Sequence, residues 1–196
     1  MIVFFPTYAR RLEPTGGWRL TISGMVSRPL PPASRRRTVA VGVLKRLLRL
    51  DETLLASEIF RSRAEAFLFQ RIAGQPVRIR IADREIPVGV SDRVGHFHAD
   101  IDLDEETARA VATVSAAGWR LPFTLVTDPQ EPPIAKPVGG SVQLIDREGV
   151  SVISDIDDTV KVTNVADRRE LLANTLLREF TPVPDMVTAY RDWSAR

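Results

Sequence analysis

Asp155 and Asp157, two residues apart in Asp155-Ile156-Asp157-Asp158-Thr159, are the side chains of this chain best suited to covalent chemistry. They follow the apolar run Val150-Ser151-Val152-Ile153-Ser154, which reads as a buried strand. A strand leaving a parallel sheet delivers its last side chains to the crevice at its carboxyl end, where ligands of open α/β sheets bind. Paired carboxylates there suit magnesium-assisted phosphoryl transfer. Asp155 reads as the nucleophile, able to attack phosphorus and divide one hydrolysis into two displacements. Asp157 reads as the general acid and base, which protonates the leaving alcohol and then takes a proton from the attacking water. Mg²⁺ takes one or two carboxylates plus phosphate oxygens, so Asp155 and Asp157 are also the expected metal ligands. An acidic turn with no catalytic part is the competing reading; the β-rich run before it and Val160-Lys161-Val162 after it favour catalysis.

The elements that must position this pair are spread along the chain. Trp18, Leu20, Ile22 and Val26 alternate with small or polar residues over Gly17–Val26, the period of a half-buried strand. After the breaker Arg28-Pro29-Leu30-Pro31-Pro32, residues Thr38–Leu50 and Ser57–Phe69 have helical spacing, with Ser57 as an N-cap. Strands are expected again from Pro76, then over Ile86–Val90, Gly95–Leu103, Trp119–Thr127 and Ser141–Asp146. Asp104–Ala117 fits helix and loop equally. A linker is expected at Asp128-Pro129-Gln130-Glu131-Pro132-Pro133 and Lys136-Pro137-Val138-Gly139-Gly140. The acidic loop is then followed by two helical stretches, Asp167–Glu179 and Pro184–Ser194.

The stretch VSVISDIDDTVKVTNV, with ELLANTLLREFTPVPDM and AYRDW downstream, resembles the catalytic domain of the actin-patch-type phosphatidate phosphatases, a branch of the haloacid dehalogenase (HAD) superfamily. The resemblance is specific over Gly149–Trp193. It implies Mg²⁺-dependent conversion of phosphatidate to diacylglycerol, with Asp155 as nucleophile, Asp157 as acid/base, and Thr159 and Asp158 supporting the loop. One departure is Asp185 before Met186, where the family usually has Gly. The resemblance also implies three later motifs: a phosphate-binding Ser or Thr, a Lys, and an acidic group completing the magnesium site. The sequence ends at Arg196 before any of them, and Lys161 is too early to be that Lys. The expectation is therefore a truncated product or a fragment that hydrolyses little by itself.

The expected fold class is α+β: a β-rich, sandwich-like amino-terminal domain over residues 1–147 with a helical insertion at 38–70, then residues 148–196 as the first part of an α/β HAD-like domain. With 44% hydrophobic and 27% charged residues the 196-residue chain is globular in composition, neither disordered nor fibrous. A formal charge of +2 gives no general pull on nucleic acid, and the absence of cysteine excludes disulfides and thiolate metal sites and suits a reducing compartment. Met1-Ile2-Val3-Phe4-Phe5-Pro6 lacks the form of a signal peptide, and no stretch is long enough to span a membrane. A cytoplasmic protein is expected, peripheral at a membrane where its phospholipid substrate lies.

Two further constellations stand out. His96, His98, Asp100 and Asp102 share one strand face opposite Phe97, Ala99, Ile101 and Leu103; a metal site is conceivable, but a solvated face is the better reading. Arg35-Arg36-Arg37 with Lys45, Arg46 and Arg49 flank leucines on a helix that fits an anionic membrane surface; periodicity alone favours a packed helix with a wet basic face, diluted by Glu52 and Glu58. Besides the phosphatidate phosphatase, two alternatives stand: a HAD-like phosphatase or phosphotransferase acting on another phosphomonoester, and a non-catalytic module that binds lipid or protein. The DIDDT motif supports phosphoryl transfer, but nothing in its spacing demands a fatty tail.

Overall fold

A computed structural model of the chain describes residues 1–14, 16–115, 118–127, 138–145, 147–148 and 152–194. In chain order the strands are β1 (Ile2–Phe4), β2 (Thr7–Arg11), β3 (Trp18–Pro29), β4 (Phe69–Arg71), β5 (Pro76–Ile81), β6 (Arg84–Val90), β7 (His96–Leu103), β8 (Thr113–Ser115), β9 (Gly118–Leu125) and β10 (Gly139–Ile145). The helices are α1 (Arg35–Leu48), α2 (Glu52–Ala56), α3 (Glu58–Glu65), α4 (Glu105–Val111), α5 (Arg168–Leu176) and α6 (Pro184–Ser194). The protein is mixed α+β, with a large, mostly open sheet. It divides into two compact units: Met1–Arg28 with Arg71–Val150, and Pro29–Gln70 with Ser151–Arg196.

The first unit is built on β3, whose inward residues Trp18, Leu20, Ile22 and Val26 are buried in strict alternation. Period-two burial of this kind puts one face of a strand in the core and the other in water. One edge of β3 pairs antiparallel with β7, with Leu20 opposite Ile101 and Ile22 opposite Ala99. Its other edge takes β2 and β1, also antiparallel. The sheet continues from β2 to β10, their pairing being parallel, and on through β9, β5 and β6. Ile79, Leu121 and Val142 complete the core, and Phe4 meets Phe97 and Phe123 edge to face at centroid distances of 5.6 and 4.8 Å. The expected strands form here, within a few residues of their predicted ends. Asp104–Ala117, ambiguous in sequence, holds α4 and β8; the Asp104 carboxylate caps α4 by accepting the Thr107 N–H at 2.6 Å.

The second unit is helical. Predicted helix Thr38–Leu50 is α1, which starts earlier, and Ser57–Phe69 is the shorter α3, preceded by α2. Ser57 does cap α3, its hydroxyl accepting the Phe60 N–H at 3.2 Å, and Asp51 caps α2 through the Leu54 N–H at 2.8 Å. Leu48, Leu50, Phe60, Ala64 and Leu68 pack with Ala173 and Leu176 of α5 in one buried cluster. The helices of residues 35–65 thus share a core with the segment that carries the acidic motif.

One expected strand, Val150–Ser154, is not formed over its described residues. Val150 and Ser151 lie outside the described residues, as do Asp128–Pro137 of the expected linker, but Val152–Ile156 has no strand structure. Val152, Ile153 and Ile156 are exposed, Ile153 by 98%. Apolar sequence supplies the tendency to extend, but a strand needs a neighbour's N–H and C=O groups to complete its ladder. The pairing around this loop is limited to single bridges, Asp157 with Lys161 and Lys161 with Pro182.

Candidate functional site

The acidic loop is a tight turn followed by a hydrogen-bonded clasp, all within the second unit. The Ile156 carbonyl accepts the N–H groups of Val160 and Lys161 at 2.9 and 3.0 Å, while the Asp158 N–H donates to the Lys161 carbonyl at 2.7 Å. Asp158 takes a left-handed backbone conformation, φ 59°, at the corner of this turn. Short acidic and amide side chains tolerate that region better than other non-glycine residues.

The three carboxylates of the loop have different surroundings. Asp158 is committed to structure. Its Oδ1 accepts the N–H groups of Thr163 and Asn164 at 2.7 and 2.6 Å, and its Oδ2 that of Val165 at 2.8 Å. Those three backbone donors hold its pKa below the ordinary carboxylate range. Asp157 is partly engaged. Its Oδ1 accepts the Thr163 hydroxyl at 2.8 Å and lies 3.2 Å from Lys161 Nζ. The Thr163 hydrogen bond first, and Lys161 second, lower its pKa, against desolvation and the like charge of Asp158. Asp155 is the least engaged: its Oδ1 accepts the N–H of the next residue, Ile156, at 2.8 Å, and the residue is exposed.

Neighbouring elements fix this arrangement. Thr163 is fully buried, and its carbonyl accepts from Asn174 Nδ2 of α5 at 3.1 Å. Asp167 caps that helix, accepting the N–H groups of Arg169 and Glu170. Lys161 lies with its ammonium 4.6 Å from the centre of the Phe180 ring, and the Arg63 guanidinium of α3 stacks on the same ring at 3.9 Å. Arg63 also donates to the Thr175 carbonyl at 3.1 Å and to the Arg178 carbonyl, at the end of α5 where carbonyls lack intrahelical partners. Ser154, just before the loop, donates to the Asp155 carbonyl at 2.8 Å and accepts from the Tyr190 hydroxyl of α6.

Asp155, Asp157 and Asp158 therefore stand on one short loop, with Thr159 half-buried in its turn. Sequence reading did not single out Thr163, Asn174 or Arg63. Each acts across five or more residues, a separation that leaves no periodic signal. In the first unit, His96, His98, Asp100 and Asp102 do lie on the exposed face of β7; Arg19 binds both oxygens of Asp102 at 2.6 and 2.7 Å, and Thr21 donates to Asp100 at 2.8 Å.

Residues 150–196 match the family described as "Phosphatidate phosphatase APP1, catalytic domain". No curated protein and no solved structure matches the chain significantly. The matched span holds the acidic loop, α5 and α6. No helix among the described residues is long and apolar enough to cross a membrane.

Proposed function

We propose that the protein is a phosphatidate phosphatase-like hydrolase of the HAD type, with residues 148–196 opening the catalytic domain. The observation that carries this is the family match over residues 150–196, because it covers the loop on which Asp155 and Asp157 stand exposed. An Asp155 oxygen attacks phosphorus, the bond to the glycerol oxygen breaks, and Asp157 protonates that oxygen to release diacylglycerol. Asp157 then takes a proton from water, whose oxygen attacks the aspartyl-phosphate; the bond to Asp155 breaks and phosphate leaves.

The surroundings of Asp157 favour its carboxylate, the form needed as base. A phosphate dianion close by disfavours that negative charge, raising the proton affinity that the acid step needs. Asp158 keeps the two working carboxylates on a fixed turn and takes no part in the chemistry.

The donor set suits Mg²⁺. Among the described residues no three His, Cys, Asp or Glu side chains cluster as a metal cage. Two hard carboxylates completed by water and phosphate oxygens match the way Mg²⁺ usually binds. Asp155 and Asp157 would hold the ion, and bound there it supplies positive charge to the phosphoryl oxygens. A phospholipid substrate would bring the protein to a membrane surface, which we read as a cytoplasmic one.

Phosphate release from dioleoyl phosphatidate in mixed micelles, with Mg²⁺ or EDTA, tests this on the protein. Mg²⁺-dependent release that Asp155→Asn abolishes and Asp157→Asn strongly slows is the expected result. Turnover retained in Asp155→Asn, with the fold intact, would sink the assignment. Release from a soluble phosphomonoester but not from phosphatidate would move the function to the other substrate class.

A further inference from the structure

α1 packs one face and leaves another apolar face uncovered. Leu48 and Leu44 join the buried cluster, whereas Val39, Val43 and Leu47 are 65%, 51% and 41% exposed. Spaced four residues apart, these three form one stripe about 12 Å long. The stripe opens through Val43 into an apolar groove of about 570 Å³, lined also by Ala40, Leu44, Leu68 and Leu172 and edged by Phe67, which is 67% exposed.

The charged residues of α1 itself are all basic. Arg35, Arg36 and Arg46 are exposed on α1, and none of them is in an ion pair among the described residues. Glu52, the nearby acid, is held by Lys45 at 2.5 Å. The start of α1 adds a second, independent observation. Ser34 makes no side-chain capping bond, the first turn carries no acidic residue, and three arginines stand at the positive end of the helix dipole. In water that arrangement opposes the helix; an anionic partner reverses the sign of the effect.

We propose that this face of α1, with Phe67 and the groove, docks on the surface of an anionic phospholipid bilayer. The arginines meet the headgroups, the valine and leucine stripe enters the boundary with the acyl region, and acyl carbons occupy the groove. A second copy of the chain fits less well, since facing α1 helices would bring the same arginines together.

The test is co-sedimentation of the full chain with vesicles of phosphatidylcholine alone and of equimolar phosphatidylcholine and phosphatidylglycerol. Neither contains phosphatidate, so the result does not depend on turnover or on the phosphatase reading. The expected result is binding to the anionic vesicles that weakens as salt rises. Arg36→Glu with Arg46→Glu should lower it at least about tenfold. Val39→Ser with Leu47→Ser should lower it several-fold, with unchanged circular dichroism because both side chains are exposed. Absent binding, equal binding to both vesicles, or variants that bind like the parent would each overturn the proposal. So would a dimer in ultracentrifugation that Val39→Ser with Leu47→Ser dissociates while vesicles capture nothing.

Discussion

The two units bury their apolar residues to different depths. In the sheet unit Leu20, Ile22, Ile79, Leu121 and Val142 are entirely buried, whereas the core of the helical unit stays slightly exposed, from Phe60 and Ala64 to Leu48 and Leu68. Exposed apolar side chains occur in both, Val39, Phe67 and Ile153 in the helical unit and Val90, Val114 and Trp119 in the sheet unit. Strand ladders use up backbone polar groups over long distances and bring inward faces together. In the helical unit much of the order comes instead from side chains bonded to backbone: Asp158 on three N–H groups, Asn174 on Thr163, and Arg63 on the end of α5. The first arrangement closes a core; the second holds a loop.

The largest effect that tests this contrast is core truncation. Ile79→Ala should cost about 4 kcal/mol in the sheet unit, and Leu48→Ala about 2 kcal/mol in the helical unit, whose open cluster relaxes more easily. Denaturant unfolding followed by amide exchange in each unit measures both; equal losses would break the contrast. Next is Gly24→Ala in β3. A Cβ there would lie 2.3 Å from the Val3 carbonyl oxygen and 2.4 Å from the Phe97 ring. The expected loss is about 2 kcal/mol by overpacking, visible as a lowered thermal midpoint of the sheet unit alone.

Arg63→Ala should destabilise the helical unit by about 1 kcal/mol, since it frees carbonyls at the end of α5 that water partly satisfies. Exchange of the α5 amides should quicken while the sheet unit keeps its protection. The smallest effect is electrostatic. Asp157 and Asp158 both have folded pKa values below their unfolded ones. The stability they add is present above the unfolded carboxylate pKa and is lost as pH falls through the folded values. Acid should therefore release the amides of Thr163, Asn164 and Val165 before it opens the sheet, as read by NMR. Lys161→Ala should move the Asp157 midpoint upward, and Asp158→Asn should leave those three amides exchanging several-fold faster at neutral pH.

Much of the sheet unit was legible in the sequence because its signals are local and periodic. Trp18, Leu20 and Ile22 alternate inward as expected, and Phe97 and Leu103 face away from His96 and His98. One cap was legible too: Ser57 begins a helix because its hydroxyl reaches an N–H three residues on. The run Val150–Ser154 was not, over its described residues 152–154. Its apolar residues predict a strand, and the structure leaves it unpaired, because ladder formation depends on a neighbour that no stretch of its own sequence encodes. The α1 helix shows both outcomes at once, with Leu48 packed as periodicity implied and Val39, Val43 and Leu47 exposed beside the arginines.

The sequence by itself determined the longer strands of the sheet unit, the helix start at Ser57, and the presence of an acidic loop whose residue types suit phosphoryl transfer. All of these follow from interactions within a few residues, where side-chain period and hydrogen-bond reach are set by the backbone. Only the tertiary structure decided that β10 runs parallel to β2, that α5 buries Ala173 and Leu176 among residues about a hundred positions earlier, and that Asp158 serves the backbone while Asp155 stays the least engaged carboxylate of the loop. Those outcomes are choices among partners distant in sequence, and packing and hydrogen-bond satisfaction settle them together rather than residue by residue.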